Sequence, residues 1–278
     1  MPTGSFKIRG ATWRLSRMNE SDRLAGVVAY STGNHAQAVA KAARDSGSNA
    51  IVVMSLDTCP AKIDATKKLG GVVVLTECTS SARKELAEQI AREQARVLVP
   101  PYDDDDVIAG QGTIACELVQ QWRAHPPRAI FVPIGGGGLI AGVSVAIKHV
   151  APRVKIVGVE PELEDDAYRS LRGGKIVEGS HASESIADAI KVQRVGAITF
   201  PLMQRFVDDV VRVSEVEIAT AMIRIEREAQ LLLEPSGAVA AAAALKSRWR
   251  GDIVALASGG NVTMQRFWAL QKQFAHLS

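Results

Sequence analysis

The sequence predicts an α/β protein built on open, mostly parallel sheets. Short β-branched runs alternate with helical patterns along nearly all of its 278 residues. Those runs are apolar almost without interruption, as in strands covered on both faces. The chain is also long enough to bury one large core or two modest ones.

Strands are expected at 26–31, 49–55, 71–76, 96–100, 129–133, 155–159, 207–213 and 252–257. Between the first two, Ala36, Val39, Ala40 and Ala43 form one stripe of helical period. Segments 61–69, 79–94, 107–124, 138–150, 215–230 and 237–248 read as further helices. Strands joined through helices imply right-handed crossovers. Four strand–helix units fall between about residues 24 and 101, and Pro100-Pro101 followed by Asp103 to Asp106 marks a break. A small mobile domain at 26–101 is therefore expected within a larger one formed by 1–25 and 102–278, with the functional site in the cleft between.

Composition narrows the function classes. The 33 basic and 30 acidic residues leave a net charge of +3, too small and too mixed for a nucleic-acid or membrane surface. Three cysteines without C-x-x-C spacing indicate neither a disulfide framework nor a zinc site. No apolar run reaches the length of a membrane span, and the opening MPTGSFKIRG has no signal-peptide core. A cytoplasmic protein is expected.

Five local features could carry chemistry. Gly135-Gly136-Gly137-Gly138 follows a strand and opens a helix, where backbone N–H groups converge on an anion favoured by the helix dipole. It lacks the Gly-Lys-Ser/Thr of a Walker loop, and a flexible tight turn is the alternative to an anion site. Ser31-Thr32-Gly33-Asn34-His35 ends the strand at 26–31; it reads equally as a helix cap or as a carboxylate site. In Ser5-Phe6-Lys7-Ile8-Arg9-Gly10, Lys7 reads on its own as exposed, but shielded from water it would be an activated amine. Ser258-Gly259-Gly260-Asn261 ends the last strand, where open parallel sheets bind ligands. Glu234-Pro235-Ser236-Gly237-Ala238 leads into an alanine-rich helix.

Together with Gly110-Gln111-Gly112-Thr113, these motifs occur in the order found in the fold-type II pyridoxal phosphate enzymes. The chain resembles their serine/threonine dehydratase and serine racemase branch from residue 2 to about 265. The resemblance implies a tryptophan synthase beta-subunit-like fold, two open three-layer α/β domains with the cofactor in the cleft. It also implies a homodimer acting on a small amino acid, with no nucleic-acid or membrane partner.

By that likeness Lys7 bonds pyridoxal 5'-phosphate covalently and then removes the substrate Cα proton, helped by a pKa lowered out of water. Phe6 packs beside the cofactor ring, Asn34 bonds the ring 3-oxygen, and Gly135, Gly136, Gly137 and Gly138 hold the phosphate. Glu234 and Ser258 complete the cofactor set. Ser258 falls opposite the pyridine nitrogen, where a neutral hydroxyl gives a weaker electron sink than an aspartate and favours β-elimination over transamination. Ser31, Thr32, Asn34, His35 and Gln111 hold the substrate carboxylate. Thr32 also lies on the face opposite the lysine, where racemases place a proton-delivering hydroxyl. Glu160, Glu164 (through its carbonyl) and Asp166 resemble a loop for Mg2+, Ca2+ or Mn2+; a solvated acidic loop is the plainer alternative.

The implied reaction converts a hydroxy amino acid such as threonine or serine to a 2-oxo acid and ammonia. Departures widen the choice. Ala189 stands where many relatives have glycine, and Arg194 would suit a second carboxylate, as in 3-hydroxyaspartate; hydroxyectoine catabolism and a serine/aspartate-type racemase are further alternatives. Relatives carry several dozen residues before the lysine motif, so a truncated chain, even an inactive one, is an additional expectation.

Overall fold

The computed structural model describes residues 1–122, 125–179 and 184–274. By packing, the chain divides into two compact units, Met1–Gln111 and Gly112–Ser278.

In the first unit, α1 (Lys7–Ser16) and α2 (Glu20–Ala25) lead into β1 (Val27–Tyr30), α3 (Asn34–Asp45) and β2 (Ala50–Ser55). Then come α4 (Pro60–Lys68), β3 (Gly71–Thr76), α5 (Ser80–Glu93) and the two-residue β4 (Val97–Leu98). The four strands form a parallel sheet in the order β3-β2-β1-β4, with Val28 opposite Ile51 and Leu98. Both faces are covered, which is why the strands read as continuous apolar runs. Val27 and Ala29 pack toward α1 and α3, whereas Val28 and Val53 pack toward Ala87 and Ile90 of α5.

The amphipathic stripe of α3 is confirmed, and its small residues let α1 approach closely through Ile8, Ala11 and Leu15. This packing groups residues 1–25 with the first sheet. The acidic run read as a break leads into α6 (Asp105–Gln121). Asp104 accepts from the Val107 N–H at 2.9 Å and is paired with Arg14 of α1 at 3.2 Å. The unit boundary falls within α6.

The second unit runs β5 (Ala129–Pro133), α7 (Gly138–Val150), β6 (Lys155–Pro161), α8 (Asp166–Gly173), a 3-10 turn (Asp188–Ile190) and α9 (Thr199–Phe206). It continues with β7 (Asp209–Val213), α10 (Glu215–Ala229), α11 (Pro235–Lys246), β8 (Ile253–Ala255) and α12 (Met264–Phe274). Its sheet is also parallel, in the order β7-β6-β5-β8. Phe131, Val157 and Val159 bury one face against α10, α11 and α12. Ser214 starts α10 with a reciprocal capping box to Glu217.

The strands expected at 207–213 and 252–257 are shorter than read, and the sequence pattern does not separate α1, α2, α8, α9 and α12 from loops. Residues 123 and 124 of the helix expected at 107–124 lie outside the described residues. Among the described residues no helix is long and apolar enough to cross a membrane.

Candidate active site

In the first unit the sequence-predicted residues gather around the start of α1. Gly4, at φ +71°, turns the chain so that Phe6 precedes the helix and Lys7 is its first residue. The Lys7 amine donates to the Pro101 carbonyl at 2.6 Å and lies 5.2 Å from the centre of the Phe6 ring. Burial lowers its pKa from 10.5 to about 8, and no acid occupies the first turn of α1 to restore it. Half of such an amine is uncharged near pH 8, as a nucleophile or base requires.

The carbonyl that receives Lys7 ends a short segment anchored by His35. That ring is 2% exposed, and its Nε2 lies 2.9 Å from the Val99 carbonyl. Burial first, and then the nearby Lys7 charge, lowers its pKa to about 3, so His35 is neutral. A carbonyl only accepts, so Nε2 carries the proton and the buried Nδ1, which has no hydrogen-bond partner among the described residues, is an acceptor.

Ser31 and Thr32 are half-buried in the turn before α3. The Ser31 hydroxyl accepts from the Gly33 N–H at 3.2 Å, so it closes the turn without capping the helix. Gly33 is the N-cap, no side chain caps α3, and its first turn carries no acid. Half-buried Asn34 and buried His35 open that helix, whose dipole favours an anion at its start.

Gln111, expected to hold the substrate carboxylate, also braces the lysine helix. Its buried Oε1 accepts from the Gly10 N–H at 3.3 Å, one turn beyond Lys7. A Cβ on Gly110 would come within 2.6 Å of the Gly10 Cα. Gly110 and Gln111 thus seat α6 directly on the lysine helix.

In the second unit, β5 leads through Ile134 into the glycine turn and α7. Gly137 caps α7 at φ +90°, with no side-chain cap and no acid in the first turn. The Gly136 carbonyl accepts from the Gly196 N–H at 3.1 Å and from the Thr199 hydroxyl at 2.7 Å. A Cβ on Gly135 would press on the Ile190 backbone at 3.2 Å, and one on Gly137 on the Thr199 hydroxyl at 2.7 Å. The turn is a backbone cradle that side chains would fill. Thr199 and Gly196 escape a sequence reading because no local pattern marks a residue some sixty positions away.

Two other motifs meet in this unit. The Glu234 N–H donates to the Gly259 carbonyl at 3.1 Å, and Gly237 leaves no room for a Cβ against that same carbonyl. The Ser236 hydroxyl accepts from the Ala189 N–H at 2.9 Å. Glu234 and Ser258 are both buried, and the Ser258 hydroxyl makes only a 3.5 Å contact with the Ser236 carbonyl.

The acidic loop is not a solvated face. Glu160, Glu164 and Asp166 are each less than 5% exposed. Glu160 holds the start of α8, accepting from the Ala167 and Tyr168 N–H groups at 3.0 and 2.7 Å. Burial, and then Asp166, still push its pKa well above the usual carboxylate range. Asp166 is raised to about 7 by burial and then by Glu164, and its buried Oδ2 has no hydrogen-bond partner among the described residues. Among the described residues, no three His, Cys, Asp or Glu side chains cluster as a set of metal ligands.

Comparison with known proteins places this geometry. Residues 1–259 match the family described as pyridoxal-phosphate dependent enzyme. A serine racemase of Schizosaccharomyces pombe is 39% identical over 95% of this chain and 82% of its own. An L-threo-3-hydroxyaspartate ammonia-lyase of a Pseudomonas species is 39% identical over 97% of this chain and 85% of its own. The structure of the processed form of threonine deaminase isoform 2 from Solanum lycopersicum superimposes with a TM-score of 0.91 at 37% identity, covering 97% of this chain and 79% of that one. With its two parallel-sheet units and its family match from the lysine motif to Gly259, the chain belongs to the pyridoxal-phosphate dependent enzymes of fold-type II.

Proposed function

We propose that this chain is a pyridoxal phosphate-dependent ammonia-lyase acting on a small 3-hydroxy amino acid. The observation that carries this reading is Lys7, a water-shielded amine of pKa about 8 at the start of α1, near the uncapped start of α3. The residues fit the cofactor: a reactive amine, a glycine cradle and a buried neutral hydroxyl are its chemical complements. When bound, pyridoxal phosphate supplies an electron sink for the pair left at Cα.

The chain's own groups do the rest. Lys7 would hold the cofactor and, in its uncharged form, would take the Cα proton. Phe6 would pack beside the cofactor, Asn34 would bond its ring oxygen, and Glu234, at the start of α11, would help hold it. The N–H groups of Gly135 to Gly138 bind the phosphate. Ser31 and Thr32 with the first N–H groups of α3 bind the substrate carboxylate, and neutral His35 adds no charge there. Gln111 acts by seating α6 on α1. Ser258 would offer the cofactor nitrogen a neutral partner, which would favour loss of the β-hydroxyl.

We further infer that Glu160 and Asp166, with the Glu164 carbonyl, take a divalent cation such as Mg2+. The orphaned Asp166 oxygen and the raised pKa values fit a missing positive charge. We infer that residues 26–101 move as the small lobe and that 1–25 with 102–278 hold the cofactor, a division by role that differs from the packing units Met1–Gln111 and Gly112–Ser278. A cytoplasmic homodimer completes the reading.

A second reading, amino-acid racemisation, is favoured by Thr32, whose hydroxyl adjoins the carboxylate site, and by the likeness to a serine racemase. Release of ammonia and 2-oxo acid is to be measured over serine, threonine and 3-hydroxyaspartate, with Mg2+ and with EDTA. Ammonia from at least one, reduced by EDTA, is expected. Inverted amino acid without ammonia selects racemisation, and neither product refutes both.

A further inference from the structure

We propose that Thr199 is a positioning residue for the cofactor: its hydroxyl fixes the direction of the Gly137 N–H and so sets the affinity of the glycine turn for a phosphate group. The inference rests on the proposed role of that turn.

A turn made only of glycine has a weakness. Glycine adopts positive and negative φ about equally, so each Gly–Gly peptide can rotate at little cost and carry its N–H away from the ligand. The peptide joining Gly136 to Gly137 is planar and trans, so its C=O and N–H point in opposite directions. Whatever holds the carbonyl therefore aims the N–H. Two donors hold it, the Thr199 hydroxyl at 2.7 Å and the Gly196 N–H at 3.1 Å. The same Gly196 N–H also approaches the Thr199 oxygen at 3.0 Å, which closes a small ring of bonds.

Thr199 is itself immobile. It is wholly buried and is the first residue of α9, a helix that packs on α7, the helix the glycine turn opens. Its side chain also occupies the space beside Gly137, at φ +90°, where no larger residue fits. The turn lacks side chains of its own to lock it, and Thr199 supplies the lock from outside.

The test measures binding, not turnover. Cofactor-free protein is titrated with pyridoxal 5'-phosphate and, separately, with pyridoxal, which lacks the phosphate, following the visible absorption. Thr199→Ser and Thr199→Ala both lose the methyl and differ only in the hydroxyl; Thr199→Val keeps the shape without the donor. Thermal unfolding checks each fold, and if Thr199→Val does not fold, the Ser and Ala pair decides. Thr199→Ser is expected to bind within about twofold of wild type, while Thr199→Ala weakens pyridoxal phosphate about tenfold, the effect of one lost buried hydrogen bond. Pyridoxal affinity is expected to stay level in all variants. Equal affinities for the Ser and Ala variants, or an equal loss for both ligands, would overturn the proposal. Wild type binding pyridoxal as tightly as pyridoxal phosphate would refute the phosphate role of the turn itself, and this inference with it.

Discussion

The starts of α3 and α7 are built alike and finished differently. Each follows a buried strand of a parallel sheet, has glycine at its N-cap, and lacks both a side-chain cap and an acidic residue in its first turn. At α3 the turn carries Ser31, Thr32, Asn34 and His35, so polar side chains surround the start of the helix. At α7 the turn carries nothing but backbone, packed so closely that a methyl would collide. The first suits a ligand whose identity must be read, an amino acid; the second suits one that need only be gripped, a phosphate. Side chains give discrimination, and bare backbone gives close approach.

The largest effect should come from the amine beside the discriminating turn. Lys7→Ala is expected to lower ammonia release by roughly a thousandfold or more, the scale of a lost positioned base. Activity within tenfold of wild type would remove Lys7 from the chemistry.

The two N-cap glycines separate the helix starts next. Gly137→Ala places a methyl 2.7 Å from the Thr199 hydroxyl at φ +90°, whereas a Cβ on Gly33 meets nothing within 4 Å. Gly137→Ala is expected to cost about 1–3 kcal/mol of stability and most of the cofactor affinity. Gly33→Ala should cost well under 1 kcal/mol. Thermal unfolding and cofactor titration of the pair check this, and equal effects would erase the distinction.

Buried acids beside α8 make a smaller, pH-dependent effect. The Asp166 pKa is raised from 3.8 to about 7, so between those values the unfolded chain loses a proton that the folded one keeps. Stability should therefore fall as pH rises from about 4 to about 7 in EDTA. Asp166→Asn should flatten that slope, and Mg2+ should restore stability above pH 7. Denaturant midpoints at several pH values test it; a slope unchanged in Asp166→Asn would reassign it.

The gentlest expectation concerns the amine itself. With a pKa near 8, the rate at which cofactor-free protein bonds pyridoxal should rise through a midpoint near pH 8. A midpoint near 10.5 would mean that Lys7 is not shielded.

Much of the fold is written in local pattern. Uninterrupted apolar runs such as Val27–Tyr30 report strands covered on both faces, and the Ala36, Val39, Ala40, Ala43 stripe reports a helix facing a core. Short helices such as α8 and α9, of eight residues each, span barely two turns and leave little periodicity to detect. The Asp103–Asp106 run reads as a boundary and also leads into α6, because capping and linker sequences share residue types. In the site, glycines, hydroxyls and the lysine are legible by type and order. Their partners are not: Pro101 for Lys7, Val99 for His35 and Gly136 for Thr199 are all backbone carbonyls. A carbonyl has no letter in a sequence, so pairing with it emerges only from the fold.

The central claim, that Lys7 is the amine that bonds the cofactor, is tested most directly by trapping. Protein incubated with pyridoxal 5'-phosphate is reduced with borohydride, digested and mapped by mass spectrometry. The expected result is one phosphopyridoxyl group per chain, on the peptide containing Lys7. A label on another lysine, or none at all, would contradict it.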